Sequence, residues 1–417
     1  MSLAPVEFDL ELIPRARVDV IDVRRLVSRR FGDALDAYPK ALCCSLHTTA
    51  GYLDQGLATR LSHSRGGVMS YINVFRTMFP EGAGYEHDKI DRRTELTEEQ
   101  KPEEPRNADS HLAFMAGALR TCVTYRNRPN EPVCFIDLDG VHEGKPRKRR
   151  TSVLGYSHEE PVAHARIVVP VSRHAVDSVN LKNPRLGIYE QCRQLVAEHG
   201  VTKGRIRLSL APGERHAGLT VNEYETLLMR HDLSEVLRDP LRFMFEKAGH
   251  MLGNPRAIPA KTLDYARYDL VRVFNQLLDA VGLHESMVES VLARAIAMPA
   301  SRFLRMKRSV SLFVSDRQGD GGRIVEGTYQ SPILVQWHRG NRQFRVLDVA
   351  LTLTGPVMSP TGIVAWPCES RTTAAGTVPP IALSVTTAPG VPVIVTVMVH
   401  PLEAAVTAMA VGTGSAV

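Results

Sequence analysis

The chain has 417 residues, of which 44% are hydrophobic and 23% are charged. These proportions are typical of a globular protein that buries a sizeable core. The length suits two domains better than one. The formal net charge of +6 is modest for this length, and a weakly positive field favours an anionic substrate without requiring one.

Sequence patterns argue against several classes of protein. The six cysteines are sparse and include no CxxC pair, which argues against a disulfide scaffold and a cysteine-rich zinc site. No run approaches the roughly 20 apolar residues that cross a bilayer, and residues 1–9 lack the pattern of a signal peptide. There is no phosphate-binding loop, dinucleotide fingerprint or G-x-S-x-G motif. We therefore expect a cytoplasmic protein that does not enter a membrane.

The first 158 residues predict an alternation of strands and helices. Alternating or continuous apolar residues predict strands at 7–13, 18–23, 41–46, 122–126 and 133–138. Helical spacing predicts helices at 23–31, 70–79 and 107–120, and Asn107 or Asp109 is placed to cap the last of these. The stretch 82–106 is polar and charged, which predicts a surface loop.

The same order begins again near residue 162, with a strand predicted at 165–171, a helix at 186–199 and a strand at 205–210. The two strand exits align as HTTAGYLDQ from His47 and ERHAGLTVN from Glu214. Because both the order and the exits repeat, we predict an α+β protein made of two tandem copies of one domain. Ala50-Gly51 and Ala217-Gly218 should then occupy equivalent positions.

The predicted boundaries follow from this repeat. The first copy spans 1–158 and the second spans 162–355. A helical insertion at about 224–308 enlarges the second copy. Residues 356–417 are predicted to form a short β-rich C-terminal segment outside both copies.

Three histidines of the first copy are candidates for a common pocket. His47 follows a strand, His87 lies in the polar loop and His111 lies near a helix start. Three imidazoles can form an open zinc site that leaves one position for water or a substrate oxygen. Without a metal, they can bind phosphate or act as acid and base, because their pKa lies near neutrality. Asp109 can orient His111 or begin the helix.

Further polar residues of the first copy are candidates for the same pocket. Thr48 and Thr49 can hydrogen-bond an anionic ligand or can simply close the strand. Asp137 and Asp139 lie two residues apart on a predicted strand, so both face the same side. One of them can act as a general base or metal ligand, or it can lie on a solvated turn.

The run KPRKRR at 145–150 is dense in positive charge. Such a run can bind phosphate or nucleic acid, but no aromatic residues or RNA-binding motif accompany it. We interpret it as the solvated end of a hairpin and expect no binding to nucleic acid.

These motifs resemble the YjbQ-like family, some of whose members are described as secondary thiamine-phosphate synthases. The family pattern combines H-T-T-A after a strand, N-E, N-x-x-x-H at a helix start, G-T-W-Q and D-G. The first copy has H-T-T-A, the N-x-x-x-H segment from Asn107, and Asp139 in the D-G pair. The second copy has Asn222-Glu223 and the segment G-T-Y-Q that ends at Gln330. Each copy thus keeps a different part of the pattern.

The resemblance implies two α/β sandwich domains, and a homo-oligomer, because family members form trimers with sites near subunit contacts. Since neither copy keeps the whole pattern, either the two copies complement each other across an interface or one copy is a scaffold for the other. The candidate catalytic residues are Asp109, Asp137, Asp139 and Glu223; the candidate substrate-binding residues are Thr48, Thr49, Asn107, Asn222 and Gln330; the candidate metal ligands are His47, His87 and His111.

We therefore predict an enzyme that binds a divalent metal such as zinc, or an anion, and acts on a small, phosphorylated or otherwise anionic metabolite. Group transfer in a biosynthetic pathway is what the resemblance implies, and hydrolysis and elimination remain open. The alternative is a non-catalytic ligand-binding or assembly protein built on the duplicated fold.

Overall fold

The computed structural model describes residues 3–238, 243, 246–247, 306–317, 319–338 and 343–355, together with the backbone of Ala382–Thr387 and Val391–Thr396. The chain divides into two compact units, Met1–Met358 and Ser359–Val417. We call residues 3–158 the first half and residues 159–355 the second half; both belong to the first unit.

The strands of the first unit are β1 Val6–Leu12, β2 Asp19–Asp22, β3 Lys40–Ser45, β4 Ala50–Gly51, β5 Cys122–Arg126, β6 Cys134–Asp137, β7 Val141–His142, β8 Lys145–Pro146, β9 Arg149–Tyr156, β10 Glu159–Pro170, β11 Asp177–Asn180, β12 Lys203–Leu210, β13 Ala217–Asn222, β14 Ser309–Ser315, β15 Arg323–Val325, β16 Ser331–Gln336 and β17 Phe344–Thr354. Its α-helices are α1 Val23–Phe31, α2 Gln55–Arg60, α3 Arg65–Met78, α4 Ala108–Ala116, α5 Ile188–Glu198 and α6 Leu233–Arg238. Short 3₁₀ turns occupy Gly32–Leu35, Ile90–Arg92, Lys101–Glu103 and Pro184–Leu186, and a π-helical turn occupies Leu228–Asp232.

The two halves arrange their strands in the same order. In the first half, one sheet has the order β1-β9-β3-β5 and a second has β2-β6-β4. In the second half, the corresponding sheets are β10-β17-β12-β14, extended by β15, and β11-β16-β13. All of these pairings are antiparallel. The first unit is therefore an α+β structure with one strand order in both halves.

The register places the two predicted A-G pairs at equivalent points. Ala50 pairs with Asp137, the last residue of β6, and Ala217 pairs with Gln336, the last residue of β16. The residue after each A-G pair then donates a hydrogen bond to a residue that precedes the next long strand. In the first half, Tyr52 N–H donates to Arg120 O at 2.8 Å. The positions predicted from the alignment of the strand exits are thus structurally equivalent.

Strand β3 is the central element of the contact between the halves. All of its residues except Lys40 are buried. Ala41 and Cys43 face the core of the first half, whereas Leu42 and Cys44 pack in a cluster with Phe313 of the second half. A strand covered on both faces needs apolar residues at every position, which explains the unbroken sequence ALCC.

The stretch 82–106 is the predicted surface loop over most of its length, but parts of it turn inward. Tyr85 and His87 are fully buried, and Arg93 is 2% exposed. The backbone N–H groups of Glu86 and His87 donate to the carboxylate of Asp232 in the second half, at 3.0 and 2.9 Å. Polar residues enter the interior here because groups of the other half pair with them.

The remaining predictions for the fold concern the second half and the C-terminus. The predicted insertion at about 224–308 begins with the helical turns at 228–238; its remainder, apart from 243, 246–247 and 306–308, lies outside the described residues. In the second unit, β18 Ala382–Thr387 and β19 Val391–Thr396 form an antiparallel pair. The rest of 356–417 also lies outside the described residues. No described helix is both long and apolar enough to cross a membrane.

Candidate functional site

A cleft of about 250 Å³ lies where the loop after β3 meets the second half. The first half contributes the loop 46–49, Glu104, Pro105, Asn107 and two arginines, Arg147 just before β9 and Arg150 within it. The second half contributes Glu223, Thr328 and Tyr329. Residues of the H-T-T-A motif in the first half and of the N-E and G-T-Y-Q segments in the second half therefore line one cleft.

Gln330 holds the loop of the first half in place. Its side-chain nitrogen donates to Ser45 O at 3.0 Å and to His47 O at 2.8 Å, while its side-chain oxygen accepts from Gly327 N at 2.8 Å. All of these partners are backbone atoms, and Gln330 is 3% exposed. The structure thus places the predicted substrate-binding residue Gln330 behind the cleft, where it fixes the loop.

His47 lies at the cleft as a neutral imidazole. Burial, reinforced by the charges of Arg149, Arg147 and Arg150, lowers the pKa of His47 to about 3. Its Nε2 accepts a hydrogen bond from the backbone N–H of Arg150 at 2.7 Å. The ring proton therefore resides on Nδ1, which has no protein partner within the described residues and can donate to a ligand.

We expect the ring of His47 not to titrate between pH 5 and 8. The unfolded-state pKa is about 6.5, so neutral His47 contributes stability that is complete above that pH and is lost as pH falls toward the folded-state value of about 3. Proton and carbon NMR of the ring measures this directly, and the His47→Asn variant identifies the signal. A titration midpoint between pH 6 and 7 would contradict the assignment.

Glu223 and His111 form a pair across the two halves. The Nδ1–H of His111 donates to Asn222 Oδ1 at 2.6 Å, so Nε2 carries the lone pair. Glu223 Oε2 lies 3.6 Å from this Nε2, which is just beyond hydrogen-bonding distance. Burial and the neighbouring His87 lower the pKa of His111, whereas burial raises the pKa of Glu223. Burial thus favours protonation of Glu223, and the nitrogen that faces it is neutral.

Arg93 organises the carboxylates around this pair. Its side chain is 1% exposed and contacts Glu223 Oε1 at 3.2 Å, Glu104 Oε1 at 2.8 Å and Glu95 Oε1 at 2.6 Å. The imidazole of His87 lies 3.4 Å from its Nη1. Sequence reasoning missed Arg93, because nothing in the stretch 82–106 signals which polar residue turns inward.

His87 is paired on its other side. Its Nδ1 lies 3.1 Å from Asp88 Oδ1, and the same oxygen accepts from Ala108 N at the start of α4. Burial opposes protonation of His87, but the hydrogen bond to Asp88 prevails and the pKa of His87 is raised. The ring centroids of His87 and His111 are 5.3 Å apart, so two of the three predicted histidines meet.

The predicted three-histidine metal site is not formed by the residues that the structure describes. Among them, no group of three or more His, Cys, Asp or Glu side chains is placed to hold a metal ion. The ring nitrogens also have other partners: Arg150 N–H occupies Nε2 of His47, and Asn222 occupies Nδ1 of His111. Binding of zinc or another divalent ion at this site stays an untested prediction.

Three predicted carboxylates are neutralised by arginines. Asp137 is fully buried and accepts from Arg149 at 2.7 and 2.9 Å, so it has no oxygen directed to the cleft. Asp109 accepts two hydrogen bonds from Arg17, at 2.8 and 3.0 Å, and does not orient His111. Asp139 accepts from the side chain of Arg147. Each of these carboxylates is thus paired with an arginine, and a role for any of them as a base stays a prediction.

Buried polar atoms beside the cleft lack partners. The side-chain nitrogen of Asn107 donates to Asp139 Oδ2 at 2.7 Å, but Asn107 Oδ1 and Asp139 Oδ1 have no hydrogen-bond partner among the described residues. The amide nitrogen of Asn222 is also without one. Water or a ligand is needed to satisfy such groups, and Asn107 itself lines the cleft.

The basic run at 145–150 is only partly the solvated hairpin end that the sequence predicts. Lys145 and Lys148 are exposed, but Arg149 is buried against Asp137 and the two arginines beside it, Arg147 and Arg150, line the cleft. Alternation along the start of β9 directs these side chains to different surroundings. The sequence does not predict that Arg147 and Arg150 line a cleft, although phosphate binding by the basic run is one of the alternatives that it allows.

Comparison with solved structures finds chains similar to this one. A YbjQ-like protein of unknown function from Sulfolobus solfataricus P2 is 18% identical, with 47% of this chain and 99% of that chain covered and a TM-score of 0.25. A hypothetical protein from Aeropyrum pernix K1 is 16% identical, with 45% and 96% covered and a TM-score of 0.24. An uncharacterized conserved protein of the YjbQ family from Clostridium acetobutylicum is 14% identical, with 45% and 98% covered and a TM-score of 0.24.

Over about 45% of its length the chain is thus similar to YjbQ-like proteins. No protein-family model matches the chain, and no curated protein matches it either. The comparisons assign no activity, so function is argued below from the cleft alone.

Proposed function

We propose that the chain is an enzyme that binds a small anionic, phosphorylated metabolite in the cleft and moves a proton through Glu223 during group transfer. The observation that carries this proposal is one cleft with two chemically distinct sides. The first half contributes arginine, threonine and imidazole donors, and the second half contributes Glu223, a partly buried carboxylate with a raised pKa.

The donor side suits a phosphate. Arg150 is exposed, and Thr48 lies beside it in the wall of the cleft together with the free Nδ1–H of His47. Guanidinium groups bind phosphate oxygens with short, charge-assisted hydrogen bonds, and hydroxyls supply further donors. Because His47 stays neutral, it contributes a hydrogen bond rather than a charge.

The carboxylate side suits proton transfer. A general acid or base works best when its pKa lies near the working pH, and burial moves Glu223 in that direction. His111 Nε2 is the nearest basic nitrogen, and a shift of a few tenths of an ångström would join the two groups in a hydrogen bond. Arg93 restrains the other carboxylate oxygen, so Glu223 keeps Oε2 for this exchange.

We further propose that the two halves are tandem copies of one domain that have specialised. Support comes from the common strand order and from the equivalent A-G positions.

The non-catalytic alternative is a ligand-binding protein in which the same cleft holds an anion and Glu223 serves only to shape it. Assembly into a homo-oligomer stays a prediction.

Anion binding is tested first, by titrating inorganic phosphate into the full-length protein in a calorimeter. Arg150→Gln is expected to weaken binding about tenfold, because a hydrogen bond to a charged group contributes roughly 1.5–3 kcal/mol. Lys148→Gln is the matched control: it removes an equal charge two residues away, where the side chain lies outside the cleft. Equal losses in both variants would contradict a specific anion site.

The proton-transfer role is tested in the same titration. Glu223→Gln removes a charge from the cleft only where Glu223 is ionised. Because burial raises the pKa of Glu223, the substitution should tighten phosphate binding more at high pH than at low pH. If the effect of Glu223→Gln on phosphate affinity does not depend on pH, Glu223 only lines the cleft, and the non-catalytic alternative is favoured.

A further inference from the structure

The wall of the cleft contains carboxylates as well as cations. Glu104 and Glu223 both line it, and they contact the guanidinium of Arg93 at 2.8 and 3.2 Å. Glu95 contacts the same guanidinium at 2.6 Å. One guanidinium thus faces three carboxylates, so negative charge exceeds positive charge around Arg93 even when Glu223 is protonated.

The imidazole beside Arg93 does not cancel this excess. Nδ1 of His87 lies 3.1 Å from Asp88 Oδ1, so a proton on His87 is matched by the carboxylate of Asp88. The charge of Glu104 adds to burial in raising the pKa of Glu223. A cation bound between Glu104 and Glu223 therefore stabilises this part of the cleft.

Glu104 has an oxygen that can receive such a cation. Its side chain is 20% exposed, and its Oε1 accepts from Arg93. Its other oxygen, Oε2, has no hydrogen-bond partner in the part of the chain that the structure describes. An ionised carboxylate has acceptor sites on both oxygens, so Oε2 is available to a ligand in the cleft.

Asn107 supplies a second acceptor that the fold does not use. The residue at the start of a helix normally accepts a backbone N–H of the first turn with its side-chain oxygen, but Asn107 makes no such bond at the start of α4. Its Nδ2 donates to Asp139 Oδ2 at 2.7 Å, which fixes the amide and leaves Oδ1 as the acceptor.

This oxygen of Asn107 is buried beside the cleft. Asn107 is 4% exposed and lines the cleft together with Glu104. Its Oδ1 has no partner among the residues that the structure describes. Buried acceptors are nearly always paired with a donor, and here the donor has to come from water or from a ligand.

The size of the cleft limits what can reach both kinds of group. Its volume is about 250 Å³, which is below the roughly 300–1,000 Å³ of pockets that hold drug-sized ligands. A ligand that contacts Arg150 with an anion and Glu104 with a cation is therefore a short molecule that carries both charges.

We infer that the substrate is a small phosphorylated amine, whose phosphate contacts Arg150 and Thr48 and whose ammonium group contacts Glu104 Oε2 and Asn107 Oδ1. An ammonium group has three N–H donors and no acceptor, so it complements both the unused oxygens and the excess of negative charge. This inference rests on the proposed anion binding and names the substrate class of the same cleft.

Calorimetric titration of the full-length protein with two matched ligands tests the inference. Both 2-aminoethyl phosphate and ethyl phosphate carry a phosphate dianion at pH 8, since the second pKa of such a group is about 6, and an alkylamine with a pKa of about 10 is still protonated there. EDTA in the buffer prevents a metal ion from bridging phosphate and carboxylate.

We expect 2-aminoethyl phosphate to bind about tenfold more tightly than ethyl phosphate, the effect of one hydrogen bond to a charged group. Glu104→Gln should abolish most of this difference, because it removes the charge and keeps an oxygen that can accept from Arg93. Glu103→Gln is the matched control: it removes an equal charge from the neighbouring residue, which is exposed and lies outside the cleft, so the difference should persist.

The outcomes separate the two proposals. Equal affinity of the wild type for the two ligands, or a difference that survives Glu104→Gln, overturns the phosphorylated-amine inference and leaves anion binding intact. If neither ligand nor inorganic phosphate binds at millimolar concentration, the proposed anion binding is refuted and the inference falls with it. Ethyl phosphate also reports on folding, because Glu104→Gln removes a negative charge and should not weaken its binding.

Discussion

Replacing Arg149 by methionine is expected to lower the free energy of unfolding by about 3–5 kcal/mol, the cost of leaving a buried charge without its partner. Arg149 donates to both carboxylate oxygens of Asp137, and the two side chains are 3% and 0% exposed. Methionine fills a similar volume, so the loss comes from the unpaired carboxylate rather than from a cavity. Urea denaturation followed by circular dichroism measures the change.

The double variant Asp137→Asn with Arg149→Met is the control for this experiment. It removes the buried charge together with its partner, so it should recover a large part of the lost stability. If the single variant is as stable as the wild type, the ion pair does not stabilise the fold. The measurement does not depend on knowing the substrate.

Gly327→Ala is expected to abolish phosphate binding and to lower stability by about 1–3 kcal/mol, the range found for overpacked sites. A Cβ at Gly327 would lie 1.9 Å from the carbonyl oxygen of Leu46. Backbone atoms of the two halves would have to separate, which breaks the hydrogen bonds from Gln330 to Ser45 and His47. The phosphate titration and urea denaturation report both effects.

Gly66→Ala provides the matched control, because a Cβ at that position in α3 meets no atom within 4 Å. Alanine there should leave phosphate binding unchanged and should stabilise the helix slightly. Normal phosphate affinity in Gly327→Ala would show that the close approach of the halves does not shape the cleft.

Much of the fold could be predicted because the decisive signals are local. The helix 23–31 has the bounds that its helical spacing predicts; the side chain of Asp22 caps its start, and Gly32, with a φ of 62°, follows its end. The A-G pairs were found because each follows a strand after a short loop, residues 46–49 in the first half and residues 211–216 in the second. The sequence of strand β3 also indicates that both of its faces are buried, because its unbroken apolar run contrasts with the alternation in β12.

The site was only partly predictable because its contacts are not local. Asn222 and Glu223 were proposed from a motif, but their partners, His111 and Arg93, lie more than 100 residues away. The stretch 82–106 looked solvated since charged residues are usually exposed. Burial of Arg93 depends on carboxylates from three separate parts of the chain, and composition alone does not encode such a convergence.

The cluster of Leu42, Cys44, Leu154 and Tyr156 has a consequence during synthesis. These side chains are covered by Phe313 of the second half, so a ribosome must add more than 150 further residues after Tyr156 before the cover exists. The nascent first half exposes an apolar sheet face throughout that interval. At typical elongation rates of about 5–20 residues per second, the wait is on the order of ten to thirty seconds. The chain therefore folds productively only if aggregation, or capture by a chaperone, is slower than this interval or is reversible within it.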